Sequence, residues 1–298
     1  MKSQEPGLEL LGEAKLHEIL GRELLDRLEA SGVIAKDGLF YVVFDSSTEI
    51  ASVHGQLDPY ADCNGIVGQG PAGAIGYEDI AHDQGRDRYY ALVEARRHRG
   101  ILMAQVDEYD QSFRHVRSAW LDFPLDEANK GIEGLTCVHR EGRTYLLGLC
   151  EGNRCRGGTP GRREGEGRIN VFCEGERHWD HVHTIRLPES LRFEDYSSLA
   201  LSGDRLAVLS QESSALWLGA LQPSSWELAS EGSTYWFPRD DRGRALYCNV
   251  EGVSWLASDR VVIVSDKAKA ATQRRGCRAK DQSIHLFAIR EGFDDVKS

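Results

Sequence analysis

From residue 31 onward the chain alternates short apolar runs with turns rich in Gly, Asp and Arg. FYVVFD (40–45), YYALVE (89–94), TYLLGLCE (144–151), RLAVLSQE (205–212) and RVVIVSD (260–266) are almost continuously apolar until an acidic residue ends each. A second apolar run follows each one: TEIASVH (48–54), GILMAQVD (100–107), RINVFCEG (168–175), ALWLGAL (215–221) and SIHLFAI (283–289). Short runs of β-branched and aromatic residues with this punctuation predict strands. Runs that are apolar at consecutive positions predict burial on both faces, as where sheets stack on sheets.

The runs fall into a repeat. Ser31-Gly32-Val33-Ile34, Tyr77-Glu78-Asp79-Ile80, NKGIEGL (129–135), Ser197-Ser198-Leu199-Ala200 and Val250-Glu251-Gly252-Val253 each open a unit on a serine or glutamate among small residues. The opening positions are 31, 78, 133, 197 and 251, between 47 and 64 residues apart. A four-stranded unit recurring at about 40–50 residues or more is the signature of a propeller blade. The pattern predicts an all-β fold: a five-bladed β-propeller of four-stranded antiparallel blades, one domain over residues 1–298. The last unit stops after its third strand, because EGFDDVKS offers no fourth. LELLGEAKLH (8–17) is expected to supply it, closing the ring and hiding both sheet edges. The apolar stripe Leu16, Ile19, Leu20, Leu24 and Leu28 predicts a short helix after that strand. The insertion GNRCRGGTPGRREGEGR (152–168), rich in Gly and Arg, is expected to be a mobile loop.

Composition narrows the class. The chain has 298 residues, 41% hydrophobic and 28% charged, enough for a sizeable core. A net charge of −11 argues against general nucleic-acid binding. No run of 18 apolar residues occurs, so no bilayer span is expected. The opening MKSQEPGLELLGEAKLHEIL lacks the apolar core of a signal peptide, which predicts a cytoplasmic protein. Seven cysteines without a CxxC pair are expected to be reduced, with Cys137, Cys150 and Cys173 acting as small buried hydrophobes.

NKGIEGLT, GYEDIAHD, EGVSWLASDRVVIVSD and YSSLALSGDRLAVLSQES resemble the blade openings of bacterial phytase-like esterase propellers and the related SdiA-regulated propeller proteins. SGVIAKDGLFYVVFDSSTEIASV is similar to the first blade of the same group. The ring order Ser-Glu-Glu-Ser-Glu resembles the central calcium site of apyrase-type calcium-activated nucleotidases. These resemblances imply a propeller with an axial calcium ion.

The chemistry of the residues points the same way. In a propeller the first strand of each blade lines the channel, so Ser31, Glu78, Glu133, Ser197 and Glu251 would converge and are the candidate metal ligands. Carboxylates facing one another repel unless a proton or cation lies between them. An oxygen-only ring favours a hard cation, and calcium's flexible 6–8 coordination suits five blades better than octahedral magnesium. The alternative is that the glutamates cap turns or meet arginines around a water-filled channel. The second strands end at Asp45, Glu94, Glu151, Glu212 and Asp266, which form an outer shell or simply start turns.

Three loops beyond those ends carry fourteen of the 36 Lys and Arg residues, Arg96, Arg154 and Lys267 among them. Such clusters suit a phosphorylated or carboxylated ligand, or else neutralise an acidic rim. His181 and His183 are a weak zinc candidate at an outer edge, and His82 and His139 are expected on the opposite face. No GxSxG, Walker or HExxH motif occurs. Two functions remain open. In one, a calcium-pinned scaffold recognises a small anion or a protein partner. In the other, a calcium-dependent hydrolase (phosphoesterase, esterase or lactonase-like) uses Glu94, Glu151 or Asp266 as general base while Lys130, Arg96, Arg154 and Lys267 hold negative charge. The absence of a committed nucleophile favours the first.

Overall fold

A computed structural model describes residues 7–22, 28–73, 75–127, 131–268 and 273–290. The chain starts with β1 (Gly7–Lys15) and one helical turn, α1 (Leu16–Ile19), which buries Leu16 and Ile19. The helical turn ends at Ile19 with Leu20 as its cap, and residues 23–27 of the expected helix lie outside the described residues. Runs of antiparallel strands follow. The first is β2 (Ala30–Lys36), β3 (Leu39–Phe44), β4 (Ser47–His54) and β5 (Gly65–Gln69). The second is β6 (Tyr77–Asp83), β7 (Arg88–His98), β8 (Ile101–Tyr109) and β9 (His115–Asp122). The third is β10 (Ile132–Arg140), β11 (Arg143–Cys150), β12 (Arg168–Glu174) and β13 (His178–Arg186). The fourth is β14 (Ser198–Ser202), β15 (Arg205–Ser210), β16 (Ala215–Ala220) and β17 (Ser233–Trp236). The last is β18 (Val250–Ala257), β19 (Arg260–Ser265) and β20 (Ser283–Arg290), with β1 as its fourth member.

By hydrogen bonding these strands make one sheet of four and two sheets of eight. Each larger sheet joins two runs through parallel pairing of their outermost strands, β13 with β9 and β17 with β1. The β1–β20 pairing extends from Gly7 opposite Arg290 to Lys15 opposite Ser283, so the two ends of the described chain share one sheet.

The apolar second strands are buried as their composition requires. Val42, Val43, Leu146, Leu147, Leu206, Val208, Val261 and Ile263 have no exposed surface. Each core cluster draws on two successive runs. Tyr90 and Leu92 meet Leu146 and Phe172, for example, while Leu147 and Val171 meet Val208 and Trp217. Val262 and Val264 of the last run pack with Val42 and Phe44 of the first. The innermost strands are neighbours in the same order: β2 lies against β6, β6 against β10, β10 against β14, β14 against β18, and β18 against β2.

Two expectations about cysteines and loops are corrected here. Cys150 is bonded to Cys155 and Cys248 to Cys277, leaving Cys63, Cys137 and Cys173 as free thiols. The 152–168 insertion is anchored rather than mobile. Its fully buried Asn153 donates to the carbonyls of Gly161 (3.2 Å), Phe193 (3.1 Å) and Glu194 (3.3 Å). The same side chain accepts from the Glu166 amide and the Tyr196 hydroxyl. No helix among the described residues is long and apolar enough to cross a membrane.

Candidate functional site: an acidic cavity at the head of the inner strands

The opening residue of each repeat sits on a local irregularity. Ser31, Glu78, Glu133 and Glu251 are each the extra residue of a bulge at the start of β2, β6, β10 and β18. Ser197 immediately precedes β14, its amide bonded to the Leu209 carbonyl at 3.0 Å. A bulge takes a residue out of the ladder and re-aims its side chain. Four bulged residues and Ser197 all line one cavity of about 270 Å³.

The residue after each opening position explains the small neighbours. A Cβ on Gly252 would lie 2.8 Å from the Gly32 Cα and 2.9 Å from the Ser31 carbonyl oxygen, and one on Gly134 would lie 2.8 Å from the Leu199 amide. The inner strands approach too closely there for a side chain. The two exceptions, Asp79 and Ser198, use the space for polar bonds. The Asp79 carboxylate accepts the amides of Ile80 (2.8 Å) and Leu135 (2.9 Å) and the Ser198 hydroxyl (3.0 Å). Ser198 in turn accepts the Val253 amide at 3.2 Å. One buried carboxylate thus ties β6 to β10, β14 and β18 beneath the cavity floor. Burial raises its pKa well above the usual carboxylate range against the pull of those hydrogen bonds, with Glu133 adding to the rise.

The two serines of the ring share a job. Ser31 donates to the carbonyl of Tyr77, the residue before Glu78, and Ser197 donates to that of Val250, the residue before Glu251, at 3.1 Å. Each ties its strand to the next and keeps only lone pairs for the cavity. Asp45, Glu151 and Asp266, the residues after β3, β11 and β19, line the cavity as their position in the repeat suggests. Glu212 does not. β15 ends at Ser210, so the equivalent place falls to Gln211, which donates to Glu251 at 2.5 Å. Glu212 falls one residue further on, in the turn over residues 211–214, where its side chain is exposed and its amide is bonded to Asp195. The side chain of Glu94 and all of Lys130 lie outside the described residues.

Asp195 completes the lining and was not foreseen in the repeat, where its equivalents are Glu29, Gly76, Gly131 and Asn249. Its carboxylate accepts the Ser210 hydroxyl at 2.6 Å and the Glu212 amide at 3.1 Å. Burial pushes its pKa up to about 6. In all, Asp45, Glu78, Glu133, Glu151, Asp195, Glu251 and Asp266 give seven carboxylates around one cavity, and among the described residues no basic side chain lines it.

No family model matches the chain, and no curated protein does either. Solved structures do. A glutaminyl cyclase from Myxococcus xanthus is 11% identical, with 98% of this chain and 100% of that one covered at a TM-score of 0.56. The PQQ-bound aldose sugar dehydrogenase of Streptomyces coelicolor is also 11% identical, with 96% and 99% covered at 0.53. A GH43_1 enzyme from Xanthomonas citri, solved with xylose, is 12% identical, with 97% and 91% covered at 0.50. The likeness is one of fold. This is an all-β protein of propeller type.

The basic loops of this propeller do not supply the expected grip. Arg96 donates to the Gly73 carbonyl at 2.8 Å and Arg154 pairs with Glu166, so neither lines the cavity, and nor does Lys267. The basic residues that come close are Arg156 and Arg162. They line a side cavity of about 160 Å³ that shares Glu151, Asp195 and Gln211 with the central one. The tight bend holding them there leaves no room for a Cβ at Gly152 or Gly161, each of which would meet the Arg156 carbonyl. Sequence reading found the loop but not which arginines would face inward, because the Cys150–Cys155 bond and Asn153 decide that.

Proposed function

We propose that the chain is a single-domain, five-bladed propeller that binds a hard divalent cation, calcium by its donor set, at the head of its inner strands. The blade count is supported by the neighbour order of β2, β6, β10, β14 and β18 and by core clusters that link each run to the next, the last to the first. One observation carries the metal reading: all five opening residues, four of them on bulges, line one oxygen-rich cavity. The donors present fit such an ion. They are carboxylate, hydroxyl and amide oxygens without nitrogen or sulfur ligands, the preference of calcium rather than of zinc or copper. Among the described residues the tightest triads of potential ligands lie elsewhere, so this wider ring suits an ion that keeps part of its water shell. A volume of about 270 Å³ leaves room for that shell at roughly 30 Å³ per water. Glu78, Glu133 and Glu251 would hold the ion, with Glu151 and Asp266 above them. Bound there, calcium supplies charge neutralisation and a Lewis-acidic point for an anion.

The ligand in this reading is a small phosphorylated or carboxylated molecule, its charge met by Arg156 and Arg162 from the side cavity. Calorimetric titration tests the metal. Calcium is expected to bind wild type at one site and Glu133→Gln at least tenfold more weakly, while magnesium binds less tightly to both. No uptake, or equal affinity in the variant, overturns the reading.

One observation favours the hydrolase alternative. Asp195, at a pKa of about 6, faces both cavities and is a better general base at neutral pH than an ordinary carboxylate. A panel of esters, phosphoesters and lactones, assayed with and without calcium, decides it. Turnover that disappears in folded Asp195→Asn supports an enzyme, and calcium binding without turnover leaves the scaffold. The two disulfides also favour an oxidising compartment over the cytoplasm.

A further inference from the structure

The inner strands end in a second cavity, of about 570 Å³, at the opposite mouth of the channel. Its wall mixes apolar side chains such as Ile80, Leu135 and Leu199 with polar ones from several strands, and one group of these is compact. Asp83 closes β6, and Cys137 and His139 stand two residues apart on the neighbouring β10, which puts them on the same side of that strand. A carboxylate oxygen of Asp83, the Cys137 sulfur and a ring nitrogen of His139 all lie within 4.8 Å of one another. Tetrahedral bonds of roughly 2.0–2.3 Å hold ligand atoms about 3.3–3.8 Å apart, so a small adjustment of these side chains lets one ion take all three.

We propose that Asp83, Cys137 and His139 form a binding site for a borderline transition-metal ion of the zinc class, with its fourth position open to the lower cavity. The surroundings are those of a supported ligand set. His139 points Nε2 at Asp83 while its Nδ1 lies 3.4 Å from the Thr144 hydroxyl, the outer contact that fixes a ligating imidazole. Asp83, with no exposed surface, accepts the backbone amides of Gly85 (2.9 Å) and Arg86 (3.1 Å), which fix the carboxylate. Gly85 is where a side chain would collide with the imidazole: its Cβ would stand 2.9 Å from Nε2 of His139. The mixed O, S and N set excludes the hard cation proposed for the acidic cavity, so the two ends of the channel select different metals. Three protein ligands with an open position form the arrangement of a reactive zinc centre rather than a closed structural one.

Cobalt(II) titration of the whole chain tests this. A 1:1 thiolate-to-cobalt charge-transfer band is expected, displaced by zinc and absent in Cys137→Ser. It should persist in Cys63→Ser, which removes another free thiol, and in Glu133→Gln, which removes a ligand of the other cavity. His139→Gln is expected to weaken uptake at least tenfold, and serves as the readout if Cys137→Ser does not fold. No band in wild type, a band that survives loss of Cys137, or unchanged affinity in His139→Gln overturns the assignment.

Discussion

Removing Asp79 measures how firmly the inner strands are tied. In Asp79→Ala, the amides of Leu135 and Ile80 and the hydroxyl of Ser198 lose their acceptor in a place where Asp79 is 1% and Ser198 0% exposed. A buried donor left without a partner costs about 1–3 kcal/mol. Three of them would cost on the order of 3–9 kcal/mol if nothing relaxed. Against this stands the burial of the carboxylate itself, which dominates the upward shift of its pKa. A carboxyl with a raised folded pKa contributes its full stability below the unfolded value, near 4, and loses it as pH rises through the folded one. The difference between wild type and Asp79→Ala should therefore be largest at low pH, about 3 kcal/mol at pH 5, and smaller at pH 8. Urea unfolding followed by tryptophan fluorescence at both values, with an unchanged m-value, gives the number. A loss below about 0.5 kcal/mol at both pH values would show that the carboxylate is not what ties the strands. A difference that widens with pH would refute the sign.

Other consequences follow from the same coordinates. Gly252→Ala places a Cβ against backbone atoms at 2.8 and 2.9 Å that cannot swing aside, so a loss of about 1–3 kcal/mol is expected in thermal unfolding. Thiol titration of the denatured, unreduced chain should find three reactive groups and the reduced chain seven. Cys277→Ser opens a loop spanning 29 positions and should cost roughly 3–4 kcal/mol on the chain-entropy model, against less for Cys155→Ser. Asp195, raised to about 6, loses its contribution as pH climbs from about 4 through 6, on the order of 3 kcal/mol, and Asp195→Asn should flatten that slope in the presence of chelator. Calcium at a hundred times its dissociation constant should add about 2.7 kcal/mol to unfolding of wild type and far less to that of Glu251→Gln.

The candidate site was legible where it follows from the repeat. Ser31, Glu78, Glu133, Ser197 and Glu251 could be aligned from sequence because a repeated unit puts equivalent residues at equivalent depth. Asp45, Glu151 and Asp266 came with them as the residues after the second strands. Glu212 was misread because β15 ends at Ser210 and Gln211 takes the lining position, which leaves the acid in the turn that follows. Asp79 was hidden in plain view beside Glu78: nothing in YEDI says which acid faces the cavity and which is buried beneath it. Of the four positions equivalent to Asp195 only Glu29 is acidic, the others being Gly76, Gly131 and Asn249, so the repeat could not announce it.

Local pattern alone determined the strand-rich class and the N-terminal strand as partner of the last run, because those depend on spacing and periodicity along the chain. The tertiary structure decided what depends on approach through space. It chose which arginines meet the cavity and which cysteines pair. It also settled that Asp79 ties its strand to β10 through the Leu135 amide and to β14 through the Ser198 hydroxyl, and that Asp83, Cys137 and His139 meet at the far mouth. The contacts of Asp79 and of Asp83 join residues from different repeats, and their distances are set by the packing of inner strands against one another, which no spacing within a single unit encodes.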